Sequence, residues 1–110
     1  MAASGEKYLG DVLVLVMGGT GAAVCRYLAS QGPGRVSSVT LYGGASSREG
    51  VLSRELEAAG VRCVLGTEDV AGSYDLAVAS PGISEFSAFF SAARACAREV
   101  MGEPEFAFRE

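Results

Sequence analysis

The chain has 110 residues, 49% of them hydrophobic, a formal charge of −4 and a mean hydropathy of +0.28. That composition fits one globular domain with a well-filled core and excludes a disordered segment. Its nine Lys and Arg are scattered among 13 Asp and Glu, which excludes the clustered cations that nucleic-acid binding needs.

Residues 11–17 (DVLVLVM) form a continuous, β-branched apolar run, the pattern of a central parallel strand buried on both faces. A GGTG turn follows. Residues 22–31 then carry apolar side chains at helical spacing, and Gly32-Pro33-Gly34 stops that helix. Residues 36–42 (VSSVTLY) predict a second strand. Ser46 and Glu49 have the spacing of a capping box for a helix over residues 47–59, with Val51, Leu52, Leu56 and Ala59 on its buried side and Gly60 as its stop. Residues 61–65 and 74–80 predict the third and fourth strands. SPGI (residues 80–83) turns sharply into a helix over 87–98 whose apolar stripe is Phe89, Phe90, Ala93 and Ala97. A short strand over 99–101 follows, and Pro104 starts a last helical turn. Its two aromatics, Phe106 and Phe108, either cover the base of the domain or mark a chain cut from something longer.

Strands alternating with helices imply right-handed crossovers. The expected fold is therefore α/β and Rossmann-like: about five parallel strands in one domain over residues 1–110, with helices on both faces.

The chemistry available is narrow. The chain has no histidine, and Lys7 is its one lysine. No Ser–His or Cys–His nucleophile and no GxxxxGK[ST] phosphate loop is possible. Cys25, Cys63 and Cys96 are far apart and lack metal-ligand spacing, so they read as small buried hydrophobes in a reducing cytoplasm. The longest apolar run is too short to span a bilayer, and no basic region leads into an apolar segment as in a signal peptide. Neither membrane nor nucleic acid is an expected partner. The composition suits binding better than catalysis.

The binding feature is the first strand–helix turn. In an open parallel sheet, ligands sit beyond the carboxyl ends of the strands, where N–H groups and a helix dipole attract phosphate. Gly18 and Gly21 match the second and third glycines of GxGxxG. Gly19 and Thr20 add a close approach and a hydroxyl, and Val16 stands where the first glycine belongs. The second strand ends in Tyr42-Gly43-Gly44 rather than the acid that holds the ribose of NAD. Ser46, Ser47 and Arg48 leave open an NADP-binding reductase or dehydrogenase module. Ser80 and the backbone near Gly82 end the fourth strand on the same rim. A Rossmann-like interaction domain that binds no nucleotide is a third reading.

Taken in order, VMGGTG, LEAAGVRCVLG, YDLAVASPGI and SAARACAREVMGEPEFAFRE resemble the N-terminal domain of the Mur ligase family, in its D-glutamate-adding branch. SPGI and GEPEF are the most specific parts. The resemblance implies a UDP-binding domain for UDP-N-acetylmuramoyl-L-alanine, with the ATPase domain and the C-terminal domain elsewhere on the same chain. It assigns the diphosphate to Gly18, Gly19, Thr20 and Gly21, and the uracil to Tyr42, Gly43 and Gly44. Ser80, Pro81 and Gly82 would border the sugar and diphosphate. The family's acid and Thr or Ser beside the uracil are absent here, which leaves stacking on Tyr42 or backbone contacts to replace them. No cofactor is expected in this domain. ATP and Mg2+ are expected for the whole ligase, whose TGxxGK[ST] motif does not occur in these residues, so catalysis would need the remaining domains.

Overall fold

The computed structural model of the protein describes residues 8–16, 22–32, 34–45, 47–84 and 86–109. The elements, in order, are β1 (Gly10–Leu15), α1 (Ala22–Ala29), β2 (Val36–Tyr42), α2 (Val51–Ala58), β3 (Val61–Val64), β4 (Tyr74–Ala79), α3 (Ala88–Cys96), β5 (Ala97–Gly102) and α4 (Glu103–Arg109). All four strand pairings are parallel, and the sheet order is β3-β2-β1-β4-β5. This is the Rossmann-like α/β fold that the alternation of elements implies.

The apolar run explains why β1 is central. Val12, Leu13, Val14 and Leu15 are each buried, and strand parity sends them alternately to two faces. Val12 and Val14 pack with Val24, Cys25 and Leu28 of α1, Leu56 of α2 and Phe106 of α4. Leu13 and Leu15 pack with Ala77, Ala79, Phe89 and Ala93 on the α3 side. Helices therefore cover both faces, each closing its own apolar cluster.

Several boundaries move from their expected places. α2 begins at Val51, not residue 47. Gly50 is its N-cap, and Ser53 supplies the returning contact: its hydroxyl accepts from the Gly50 N–H at 2.9 Å. A Ser-x-x-Glu pair beginning at Ser46 is thus not the cap. Of the expected α2 stripe only Leu56 is buried: Val51 (71%), Leu52 (39%) and Ala59 are exposed, and Ser53 is buried in their place. Ser53 and Leu56, three residues apart on one side of the helix, are its buried positions, so Val51 and Leu52 lie outside the core. Ala97 leaves the expected α3 stripe because it pairs with Tyr74 and opens β5. Cys25 is buried as expected, whereas Cys63 and Cys96 are half-buried; all three are free thiols.

The β3–β4 connection has no helix. Residues 65–73 carry the chain from one sheet edge past β2 and β1, on the α3 face. Val70 packs into the apolar cluster there, its carbonyl accepts from the Cys96 thiol at 3.5 Å, and the Ala71 N–H donates to the Tyr42 hydroxyl at 3.1 Å.

Candidate ligand-binding rim

Because every strand runs the same way, all carboxyl ends share one rim. Backbone bonds extend the ladders one residue beyond the strands there. The Val16 N–H donates to the Tyr42 carbonyl (3.0 Å), the Ser80 N–H to Leu15 (2.9 Å) and the Gly43 N–H to Val64 (3.1 Å). Tyr42-Gly43-Gly44 and Ser80-Pro81-Gly82 therefore flank the end of β1, about 10 Å apart across two strand spacings. The sheet order reverses at β1, which is where open α/β sheets place ligands. Gly18, Gly19, Thr20 and Gly21 lie outside the described residues, as does Ser46. The described ends of that turn, Val16 and Ala22, both face the rim cleft.

That cleft has a volume of about 370 Å³. It lies between the ends of β1, β2 and β3 and the first turn of α2. Val16, Leu41 and Leu65 give it an apolar floor, Val51 and Leu52 an apolar wall, and Ser47 and Arg48 a polar edge. Of the candidate residues described, Gly43, Ser47 and Arg48 line it. Leu52 and Cys63, expected as buried hydrophobes, and Leu65 also line it without having been candidate ligand contacts. The apolar Val51-Leu52 pair at a helix start, next to the end of a strand, was the signal that could have found this wall.

The other candidates take different places. Tyr42 is 5% exposed and its ring lies in the α3-side cluster, with its hydroxyl engaged by Ala71. It is not a stacking platform, because parity along β2 turns it away from the cleft that Leu41 faces. Gly44 has φ +93°, a left-handed conformation that glycine adopts without strain, and a Cβ there would meet the Phe89 ring at 3.7 Å. Ser80 is buried and closes a turn in which its carbonyl accepts from the Ile83 N–H at 3.0 Å. Pro81 and Gly82 stand exposed on the rim.

Ser47 ties the second and third strand ends together. Its hydroxyl donates to the Gly44 carbonyl at 2.6 Å and accepts from the Gly66 N–H at 2.9 Å. Both functions of that oxygen are used within the protein, so it does not stand free for a ligand phosphate. The Cys63 thiol donates to the Ser53 carbonyl at 3.7 Å, and burial, with Glu57 nearby, raises its pKa. It lines the cleft as a thiol that is protonated at neutral pH.

Comparison with curated proteins gives a match. Over 101 residues, 90% of this chain, it is 42% identical to the UDP-N-acetylmuramoylalanine--D-glutamate ligase of Geobacter metallireducens. The chain is similar to a Mur ligase along nine-tenths of its length. It spans 22% of that relative, a share consistent with one domain of a longer Mur ligase. No protein-family model and no solved structure matches the chain. The Mur ligase match does not favour the NADP-binding alternative, and the engaged Ser47 hydroxyl weakens it further. Among the described residues, no helix is long and apolar enough to cross a membrane.

Proposed function

We propose that this chain is the UDP-binding domain of a cytoplasmic Mur ligase of peptidoglycan synthesis, and that it holds UDP-N-acetylmuramoyl-L-alanine on the rim at the end of β1. The 42% identity to a ligase of that name carries the reading. The geometry supports it. The turn between Val16 and Ala22 leaves the central strand beside a cleft of about 370 Å³, wide enough for a nucleoside. Pro81 and Gly82 stand on the other side of the same strand end, where a sugar–diphosphate would pass.

In this reading the ligase forms an acyl phosphate from the substrate carboxyl and ATP, and D-glutamate then attacks it. ATP and Mg2+ belong to the remaining domains of the same protein. The part played by this domain is to bind and orient the UDP end, and alone it performs no ligation.

The test is a heteronuclear NMR titration with UDP-N-acetylmuramoyl-L-alanine, with NADP in parallel. Saturable shifts confined to residues 16–22, 43–52 and 80–83 with the UDP ligand alone are expected. Shifts with NADP centred on Ser47 and Arg48 would replace this reading with the cofactor-binding one.

A further inference from the structure

Beyond the strand ends, no ladder joins the two sides of the rim. The last bonds across β1 run from the Val16 N–H to Tyr42 and from the Ser80 N–H to Leu15. Gly43-Gly44 on one side and the turn over residues 80–83 on the other continue strands that are not neighbours in the sheet. Among the described residues, no backbone hydrogen bond links them. What joins them is the apolar cluster around Phe89, the largest fully buried side chain among the described residues. That cluster holds Leu15 from the end of β1, Tyr42 from the end of β2 and Ile83 from the turn. The point where a Cβ on Gly44 would stand is 3.7 Å from the Phe89 ring. The start of α3 is fixed in turn: the Ser87 hydroxyl accepts from the Phe90 N–H at 3.1 Å and donates to the Ser84 carbonyl at 2.7 Å.

From this we infer that Phe89 is a positioning residue for the sugar nucleotide: its ring sets the gap between the two sides of the rim that one ligand has to bridge. The inference rests on the UDP reading above and adds to it what fixes the distance between the two halves of the site. Phe89 is buried on the α3 face and reaches no ligand itself. A phenyl ring is a stiff body with two torsions, and a close-packed interior passes a change of volume on to whatever it touches. With Leu at position 89 the packing under the rim shrinks, and the two sides settle independently. Gly44, at φ +93°, has no side chain of its own to hold its side in place. A ligand that touches one side follows that side and loses little. A ligand that touches both loses the register between its contacts.

The test uses the 110-residue chain and two probes titrated by NMR: UDP-N-acetylmuramoyl-L-alanine, which reaches both sides in this reading, and UDP, which lacks the sugar that meets residues 80–83. The variants are Phe89→Leu, Phe89→Met, which is nearer in volume but flexible, and Leu28→Val, a comparable truncation buried on the α1 face. Amide spectra of the free variants establish that each folds. Wild type is expected to bind the sugar nucleotide severalfold more tightly than UDP. Phe89→Leu should weaken the sugar nucleotide about tenfold, as for one lost polar contact, leave UDP within about twofold of wild type, and so erase the preference. Phe89→Met should fall between, and Leu28→Val should keep the preference. If a folded Phe89 variant keeps it in full, or weakens UDP as much as the sugar nucleotide, the assignment of Phe89 is overturned while the UDP reading stands. Loss of the preference in Leu28→Val would show general loosening of the core and overturn it as well, as would a wild type with no preference. Failure of wild type to bind either probe would overturn both readings.

Discussion

A Cβ on Gly43 would lie 2.6 Å from the Ser47 Oγ and 2.7 Å from its Cβ. The two residues occupy complementary space: the side chain that Gly43 lacks is the room in which Ser47 reaches Gly44 and Gly66. Leu65 closes the third side at 3.0 Å. Gly43→Ala should therefore force the β2 and β3 ends apart and destabilise the domain by about 1–3 kcal/mol, the range for overpacking. Denaturant unfolding measures it. Adding Ser47→Gly should recover part of the loss, and a double-mutant cycle with no coupling would show that the two do not share this space.

The Tyr42 hydroxyl holds the connection that replaces a crossover helix. Tyr42→Phe keeps the buried ring and removes the acceptor of the Ala71 N–H. A lost hydrogen bond at a partly buried amide is worth about 1 kcal/mol. The expected outcome is a small global loss and clearly faster hydrogen exchange at Ala71, with the β1 amides protected as before. Exchange at Ala71 equal to that of wild type would mean that the bond does not hold this segment.

The last helix separates two phenylalanines that the sequence presents alike. Phe106 is 4% exposed and meets the Tyr27 ring edge-on, with centroids 6.0 Å apart, which docks α4 on α1. Phe108 is 91% exposed. Phe106→Ala should destabilise by about 3–5 kcal/mol, as deletion of a buried aromatic does. Phe108→Ala should change stability by no more than about 0.5 kcal/mol, as for surface positions. Comparable losses from both would contradict this placement of α4.

These residues also show how far the sequence could be read. The unbroken apolar run of β1 has one sensible home, a strand buried on both faces, and the alternating helices then fix the sheet around it. The rim follows, because parallel strands must end together. What a linear pattern leaves open is direction at element ends. Ser46-x-x-Glu49 and Gly50-x-x-Ser53 both have cap spacing, and the choice depends on where the α2 first turn meets the sheet. Tyr42 was legible as a rim residue by position, but its face depends on pairing the parity of β2 with that of β1. Arg48 and Leu52 came to share a cleft with Cys63 and Leu65 only once β3 lay beside β2.

Cys25 and Cys63 make a pH prediction whose sign is set by burial. Burial, with a smaller contribution from neighbouring Cys63, pushes the Cys25 thiol up to about 12. Cys63 moves in the same direction for the same main reason, and burial likewise raises Tyr74. Below the thiol's ordinary pKa of 9.0, Cys25 is protonated whether the chain is folded or not, and its contribution to stability is intact. Above it the unfolded chain ionises and the folded one does not, so stability falls as pH rises from about 9 toward about 12. Unfolding free energies measured between pH 8 and pH 10.5 should decline, with Cys25 supplying up to about 1.4 kcal/mol per pH unit at the steep end. Cys25→Ala is expected to be less stable at every pH, through its lost packing, yet to show a shallower decline. At pH 8 a thiol reagent should modify native Cys63 and Cys96 well before Cys25, which should react only when denaturant opens the α1–β1 contact. A pH slope unchanged in Cys25→Ala, or early labelling of Cys25 in the native protein, would show that the thiol is not sealed between α1 and the sheet.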